Sequence, residues 1–155
     1  MQAPVGILNS HQPRLFPFPQ LLSAPVGEIQ FTADDERGTI FTRAMGTISG
    51  RDFLNHVLAK AEAGVLSYAE LFDARDIVLD FSGLELPRLA GEVRRIMGRQ
   101  RPFKVAVVTN DRLISSLIRK YAETVGEDGR HFRIFRDVAN ARVWIKNTSL
   151  QILRL

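Results

Sequence analysis

Cysteine is absent from the 155 residues, which excludes disulfides and thiolate metal sites and fits a cytoplasmic protein. Long apolar runs are absent too. Nothing approaches the roughly 18 consecutive apolar residues of a membrane helix, so no transmembrane segment is expected. Histidine is scarce: His11, His56 and His131 are scattered, and none shares metal-ligand spacing with a carboxylate. The Gly-x-Ser-x-Gly elbow, the phosphate-binding loop and the dinucleotide fingerprint are all missing, so neither a cofactor nor catalysis is expected. Proline is nearly confined to one end, at positions 4, 13, 17, 19 and 25, leaving only Pro87 and Pro102 beyond. Residues 1–26 lack the basic start and unbroken apolar centre of a secretion signal, and they read as a flexible tail or an overlong translation start. Within them Arg14–Leu22 is apolar and proline-rich, which suits either disorder or a short docking peptide.

What is present describes an ordinary globular domain. The chain is 45% hydrophobic and 25% charged, and its length suits one core. Charge is unevenly placed: residues 1–83 hold 6 basic and 10 acidic side chains, whereas 84–155 hold 15 and 7. Arg88, Arg94, Arg95, Arg99 and Arg101 crowd one segment of the basic half. Such a stripe is either a solvated helix face or an attractor of phosphates on nucleic acid or a membrane surface. The solvated face is favoured and nucleic acid disfavoured, because no aromatic platform or helix-turn-helix pattern accompanies the arginines.

Hydrophobic period supplies the element order. Ile29, Phe31 and Ala33 alternate with polar neighbours, Asp34–Gly38 supplies a turn, and Thr39–Ile48 continues as a second strand, so the domain opens with a β-hairpin. Ser49 then caps a helix with Phe53, Leu54, Val57, Leu58 and Ala61 on its inner stripe, and Gly64 ends it. His56 is placed at the boundary of that stripe. Gly46 and Gly50 are explained by strand and helix-start geometry. Tyr68–Ala74 reads as the third strand, and Pro87 as the first residue of a helix burying Leu89, Val93, Ile96 and Met97. Lys104–Thr109 is nearly continuous β-branched sequence and belongs mid-sheet. Asn110 or Asp111 caps the longest helix, which carries Leu113, Ile114, Leu117, Ile118, Tyr121, Ala122 and Val125 inward and is closed by Gly126 and Gly129. His131–Arg136 forms a last strand, and Asp137 opens a helix burying Val138, Ala141, Trp144 and Ile145. The expected architecture is a single α/β domain, an opening hairpin followed by alternating helices and strands, with helices packed on a mixed, mostly parallel sheet.

Leu71-Phe-Asp-Ala-Arg75, followed later by the strand-to-helix segment Phe135–Ile145, resembles the SpoIIAA-like group of the STAS superfamily, named for sulfate transporters and anti-sigma-factor antagonists. The resemblance spans residues 27–147, leaving 1–26 as a tail and 148–155 as a C-terminal extension. It implies a STAS-like fold and a non-catalytic regulatory or protein-interaction module of bacterial signalling, acting through a protein partner or self-association. Because the group is also likened to SEC14-type domains, it implies as an alternative a binding protein for a small anionic or lipidic ligand. An unrecognised enzyme is the least favoured reading.

The same resemblance draws attention to Ser82, because the regulated serine of anti-sigma antagonists follows a strand and begins a helix in an Asp-Ser-Ser-Gly-Leu setting. Here Asp80-Phe-Ser-Gly-Leu84 interposes Phe81 and has one serine. Ser82 is therefore a loop residue, a capping-box residue with Glu85, or a phosphate acceptor, in that order of preference. Asp73 and Arg75 are expected at the end of a parallel strand, where open α/β sheets bind ligands. Asp111 with Arg112, and Arg136 with Asp137, are expected at similar ends. These groups cap helices and pair locally, or Arg75, Arg112 and Arg136 line an anion pocket. Asp73, Asp76 and Asp80 read as a solvated acidic loop.

Overall fold

The structure is a computed structural model that describes residues 26–100, 104–126 and 131–153. The proline-rich tail, its Arg14–Leu22 segment and Gly129 lie outside the described residues. The order is β1 (Glu28–Asp34), β2 (Thr39–Ser49), α1 (Gly50–Glu62), β3 (Ala69–Asp80), α2 (Leu86–Met97), β4 (Val105–Val108), α3 (Arg112–Val125), β5 (Phe132–Phe135) and α4 (Val138–Leu153). The five strands form one sheet in sequence order, with β1 antiparallel to β2 and every later pair parallel. Each parallel crossover steps one strand further in the same direction, which puts α1, α2 and α3 on one face by the handedness rule. Helix α4 follows the last strand and packs on β3, β4 and β5 from the other face.

Two cores result. Under α4, Ala69, Leu71, Ala106 and Val108 of the sheet meet Ala141 and Ile145. On the opposite side Val57, Leu66, Leu86, Leu89 and Val93 are buried, with Phe53, Phe81, Leu117 and Tyr121 packed around them. Strand β4 is buried as its β-branched sequence requires, although β3 is the central strand. Ser49 and Asp52 form a reciprocal capping box at α1, and Asp111 accepts from the backbone N–H groups of Leu113 and Ile114 at α3. Gly126 ends α3 at φ +86°, a left-handed conformation that glycine adopts without strain. Gly27 is required for a different reason: a Cβ there would lie 2.0 Å from the Thr47 carbonyl oxygen.

Several expectations are corrected. Strand β3 continues to Asp80 rather than stopping at Ala74. The register with β2 shifts between Arg43↔Asp73 and Met45↔Asp76, so Ala74 and Arg75 together oppose Ala44. That bulge inverts the alternation, placing Ile77, Leu79 and Phe81 on the three-helix side and leaving Val78 59% exposed. Asp76 and Asp80 are consequently strand residues and not part of a loop. Helix α1 is turned relative to its expected stripe: His56 and Lys60 are buried, whereas Leu58 is 45% exposed. Leu113, at the start of α3, is exposed as well. Helix α2 opens at Leu86, one residue before Pro87. The longest helix among the described residues is α4, not α3. Trp144 is half-buried beside its core, against Phe135 and beneath Lys104.

Candidate functional site

Strand β3 carries two acidic clusters on opposite faces. On the three-helix face Glu70 is buried and accepts three hydrogen bonds. Thr42 of β2 donates its hydroxyl to Oε1 at 2.6 Å, His56 Nε2 meets the same oxygen at 2.8 Å, and Lys60 Nζ donates to Oε2 at 2.5 Å. His56 and Lys60 are one helical turn apart, so α1 presents both to one carboxylate. Burial alone would raise the Glu70 pKa, but the Lys60 cation and the His56 contact outweigh it and hold the carboxyl far below the usual carboxylate range. The Lys60–Glu70 pair is neutral as a unit, and His56 turns Nε2 to the same carboxylate, leaving Nδ1 as the ring's other nitrogen. That Nδ1 is buried and has no hydrogen-bond partner. The ring is walled by Phe31, Phe53 and Phe72, with centroids 5.7, 6.5 and 5.7 Å away.

This cluster escaped the sequence reading because its members are separated by loops and a strand. The only local sign was His56-x-x-x-Lys60 on an otherwise apolar face. The cluster borders a cavity of about 130 Å³ between the sheet and α1–α3. Among the described residues no three His, Cys, Asp or Glu side chains gather as a metal site.

On the α4 face Asp73 and Arg75 pair as expected. Arg75 donates Nε to Oδ1 at 2.9 Å and a terminal nitrogen to Oδ2 at 2.8 Å, and its backbone N–H adds a third bond. The Arg75 hydrogen bonds hold the Asp73 pKa below its ordinary value, and the Arg75 pKa is raised in return. The pair lies within β3 rather than at its end, at the level where β4 pairing stops with Asp73↔Val108. Asp137 stands in the field of Arg75 and accepts from the Asn140 backbone N–H at 2.8 Å, which lowers its pKa. Asp111 is the N-cap of α3, and Arg112 and Arg136 are exposed at this end of the sheet. The structure therefore joins Asp73 with Arg75 and assigns Asp111 and Asp137 to helix starts, leaving Arg112 and Arg136 facing solvent.

Ser82 lies in the exposed loop between β3 and α2. Glu85, not Ser82, is the N-cap residue of α2, and it makes no side-chain cap bond to that helix. Instead the Glu85 carboxylate accepts from the Ser82 backbone N–H at 2.7 Å, while the Ser82 carbonyl accepts from Glu85 N–H at 3.1 Å. The serine thus sits in a small reciprocal turn ahead of the Pro87 helix. The arginines of α2 face outward: Arg88 and Arg95 approach Glu92, and Arg94 donates to the Thr124 carbonyl at the end of α3.

No protein-family model matches the chain, and no curated protein matches it. Solved structures do. An uncharacterised protein of the DUF3478 family with a SpoIIAA-like fold from Shewanella loihica superposes with a TM-score of 0.52 at 18% identity, covering 77% of this chain and 93% of that one. An anti-sigma factor antagonist from Mycobacterium paratuberculosis gives 0.48 at 15% identity, over 80% and 98% of the two chains. Among the described residues no helix is long and apolar enough to cross a membrane. The five-stranded mixed sheet, with its opening hairpin and four helices, is the SpoIIAA-like fold that the Leu71–Arg75 and Phe135–Ile145 segments resemble.

Proposed function

We propose that the chain is a non-catalytic regulatory module of bacterial signalling that acts by docking a protein partner against the end of the sheet where Ser82 lies. The observation that carries this reading is the exposure of large apolar side chains there. Val78 past the bulge is 59% exposed, and Leu84 in the Ser82 loop is 91% exposed. Leu113, 70% exposed, follows the end of the neighbouring strand β4. Apolar residues gathered at one end of a domain and rimmed by polar ones suit a protein interface. Asp80 and Glu85 give that rim negative charge beside Val78 and Leu84, and Arg112 gives it positive charge beside Leu113, so the partner surface should be apolar with margins of both signs.

The polar interior supports the same reading. Glu70 and Lys60 neutralise each other and Asp73 is occupied by Arg75, so these groups stabilise the fold instead of facing a substrate. The test is purification from the native host, reconstitution of any stoichiometric complex from pure components, and measurement of Kd for Leu84→Asp and Val78→Asp. The reading expects both variants to weaken binding by about tenfold or more, the loss of one buried apolar contact each. A chain that associates with nothing, or a complex indifferent to both substitutions, overturns it. Self-association at this surface would make the partner a second copy, with the same two substitutions dissociating it.

A further inference from the structure

Strand β1 is one edge of the sheet, and among the described residues no strand lies beyond it. Every second residue of β1 therefore turns its backbone N–H and C=O away from β2 without a strand to receive them. Edge strands are blunted by proline, lysine, a bulge or shortness, and β1 has none of these. It is seven residues long, pairs with β2 from Glu28↔Met45 to Asp34↔Thr39 without a shift, and keeps its charges, Glu28 and Asp34, at its two ends. The opposite edge, β5, is four residues long and carries Arg133. Nor does α1 close the helix side of β1. A groove of about 510 Å³, lined by Ile29, Phe31, Asn55 and Ala59 among others, lies between the two, with Ile29 and Phe31 half-buried and Asn55 and Ala59 exposed.

We propose that β1 is a self-association edge: a second copy adds its own β1 antiparallel to the first, about a two-fold axis at Gln30, and continues the five-stranded sheet into the other copy. Residues opposed across an antiparallel pair point to the same side, so the axis passes through a residue and not between two. Charge and apolar match then choose the residue. Centred on Phe31, the pairing sets Glu28 against Asp34 twice, and like charges directly opposite are destabilising. Centred on Thr32, it sets Ile29 against Asp35 and gives Phe31 only Ala33. Centred on Gln30, it sets Ile29 against Phe31 twice on the groove side, Glu28 against Thr32, and Gln30 against itself, with no carboxylate facing another. The occupant is a second copy because β1 is complementary to its own reversed sequence. Val78, Leu84 and Leu113 lie outside β1, so this edge is separate from the docking surface.

The chain has no cysteine, so one introduced thiol reports the register without background. Gln30→Cys meets its own counterpart and should give a disulfide-linked dimer on mild oxidation, because opposed strand positions lie about 5 Å apart at Cα, within disulfide reach. Thr32→Cys is also exposed on the same face but would stand about 13 Å from its counterpart, four residues along, and should not cross-link. Sedimentation of the full chain should show a mass that rises with concentration towards twice that of the monomer. Gln30→Lys opposes two cations at the axis and should weaken the dimer at least about tenfold, whereas Leu84→Asp should leave it unchanged. Equal cross-linking of the two cysteine variants, or loss of the dimer in Leu84→Asp, would overturn the β1 edge. So would a chain that stays monomeric up to about 1 mM, the result expected if β1 instead takes an extended peptide of another protein.

Discussion

Glu70 and Asp73 lie three residues apart on one strand and face opposite ways, and their surroundings differ in kind. Asp73 is satisfied locally, by an arginine two residues further along whose side chain is 42% exposed. Glu70 is satisfied from a distance, by a threonine on β2 and by two residues of α1, all enclosed. The local pair forms wherever β3 forms, whereas the enclosed cluster exists only when α1 is seated on the sheet with one rotation. Glu70 therefore specifies the seating of α1, at the cost of desolvating charges, while Asp73, equally buried but paired with a partly exposed arginine of its own strand, mainly fixes a strand face.

The largest effect should come from removing one partner of the enclosed pair. Lys60→Met leaves the Glu70 charge buried without its cation, and urea unfolding should show a loss of about 3–5 kcal/mol. Adding Glu70→Gln to that variant should recover most of the loss, because the charge itself disappears. If the single and double variants unfold alike, Lys60 contributes packing rather than charge balance.

Acid should separate the two carboxylates next. Both have folded pKa values below their ordinary ones, so their contributions are complete above the unfolded values of about 3.9 for Asp and 4.3 for Glu and are lost as pH falls beneath them. Wild-type stability should thus decline on acidification through that range. The Lys60→Met, Glu70→Gln double variant should have a visibly flatter acid limb, and Asp73→Asn a slightly flatter one. A double variant as acid-sensitive as wild type would remove Glu70 from the account.

Much of the fold was legible before any coordinates. The hairpin, the capping box at Ser49 and Asp52, the β-branched strand β4 and the Asp111 cap are all local signals, each made by residues close in sequence. Legibility ended where the cause was distant. The bulge at Ala74 and Arg75 exists because β3 must keep pairing with β2 while Ile77 and Leu79 turn inward, and a period-two reading simply stops there. Helix α1 was read with Leu58 inward because apolar spacing cannot reveal that Glu70 waits on the sheet for His56 and Lys60. The Asp73–Arg75 pair, by contrast, was visible because both members lie within three residues.

Trp144 tests the opposite core and ranks next. Its ring packs on Phe135 under Lys104 but is only half-buried, so Trp144→Ala should cost about 2 kcal/mol, less than the ~3–5 of a fully enclosed aromatic. Urea unfolding measures it, and a loss below about 1 kcal/mol would mean that Ala141 and Ile145 hold α4 without it. Breaking the local pair should cost less again. Asp73→Asn keeps the shape but gives up charge-assisted bonds to a half-exposed arginine, for about 1–1.5 kcal/mol.

The smallest expected effect is at Ser82. Its hydroxyl caps no helix, and the bonds that define its turn run through its backbone N–H and carbonyl to Glu85. Ser82→Ala should therefore change stability by less than about 0.5 kcal/mol, as for an exposed residue away from special features. Ser82→Asp is different in sign and cause: it places a second carboxylate beside the Glu85 carboxylate that receives the turn's N–H, and a phosphate would add about −1.5 to −2 charges at the same place. Repulsion should open this turn while the core stays intact. Amide exchange at Ser82 and Glu85 should accelerate in Ser82→Asp with the global unfolding midpoint nearly unchanged. If exchange there matches Ser82→Ala, the loop does not respond to charge, and a phosphorylation switch at this serine would have no local lever through which to reach the neighbouring Leu84.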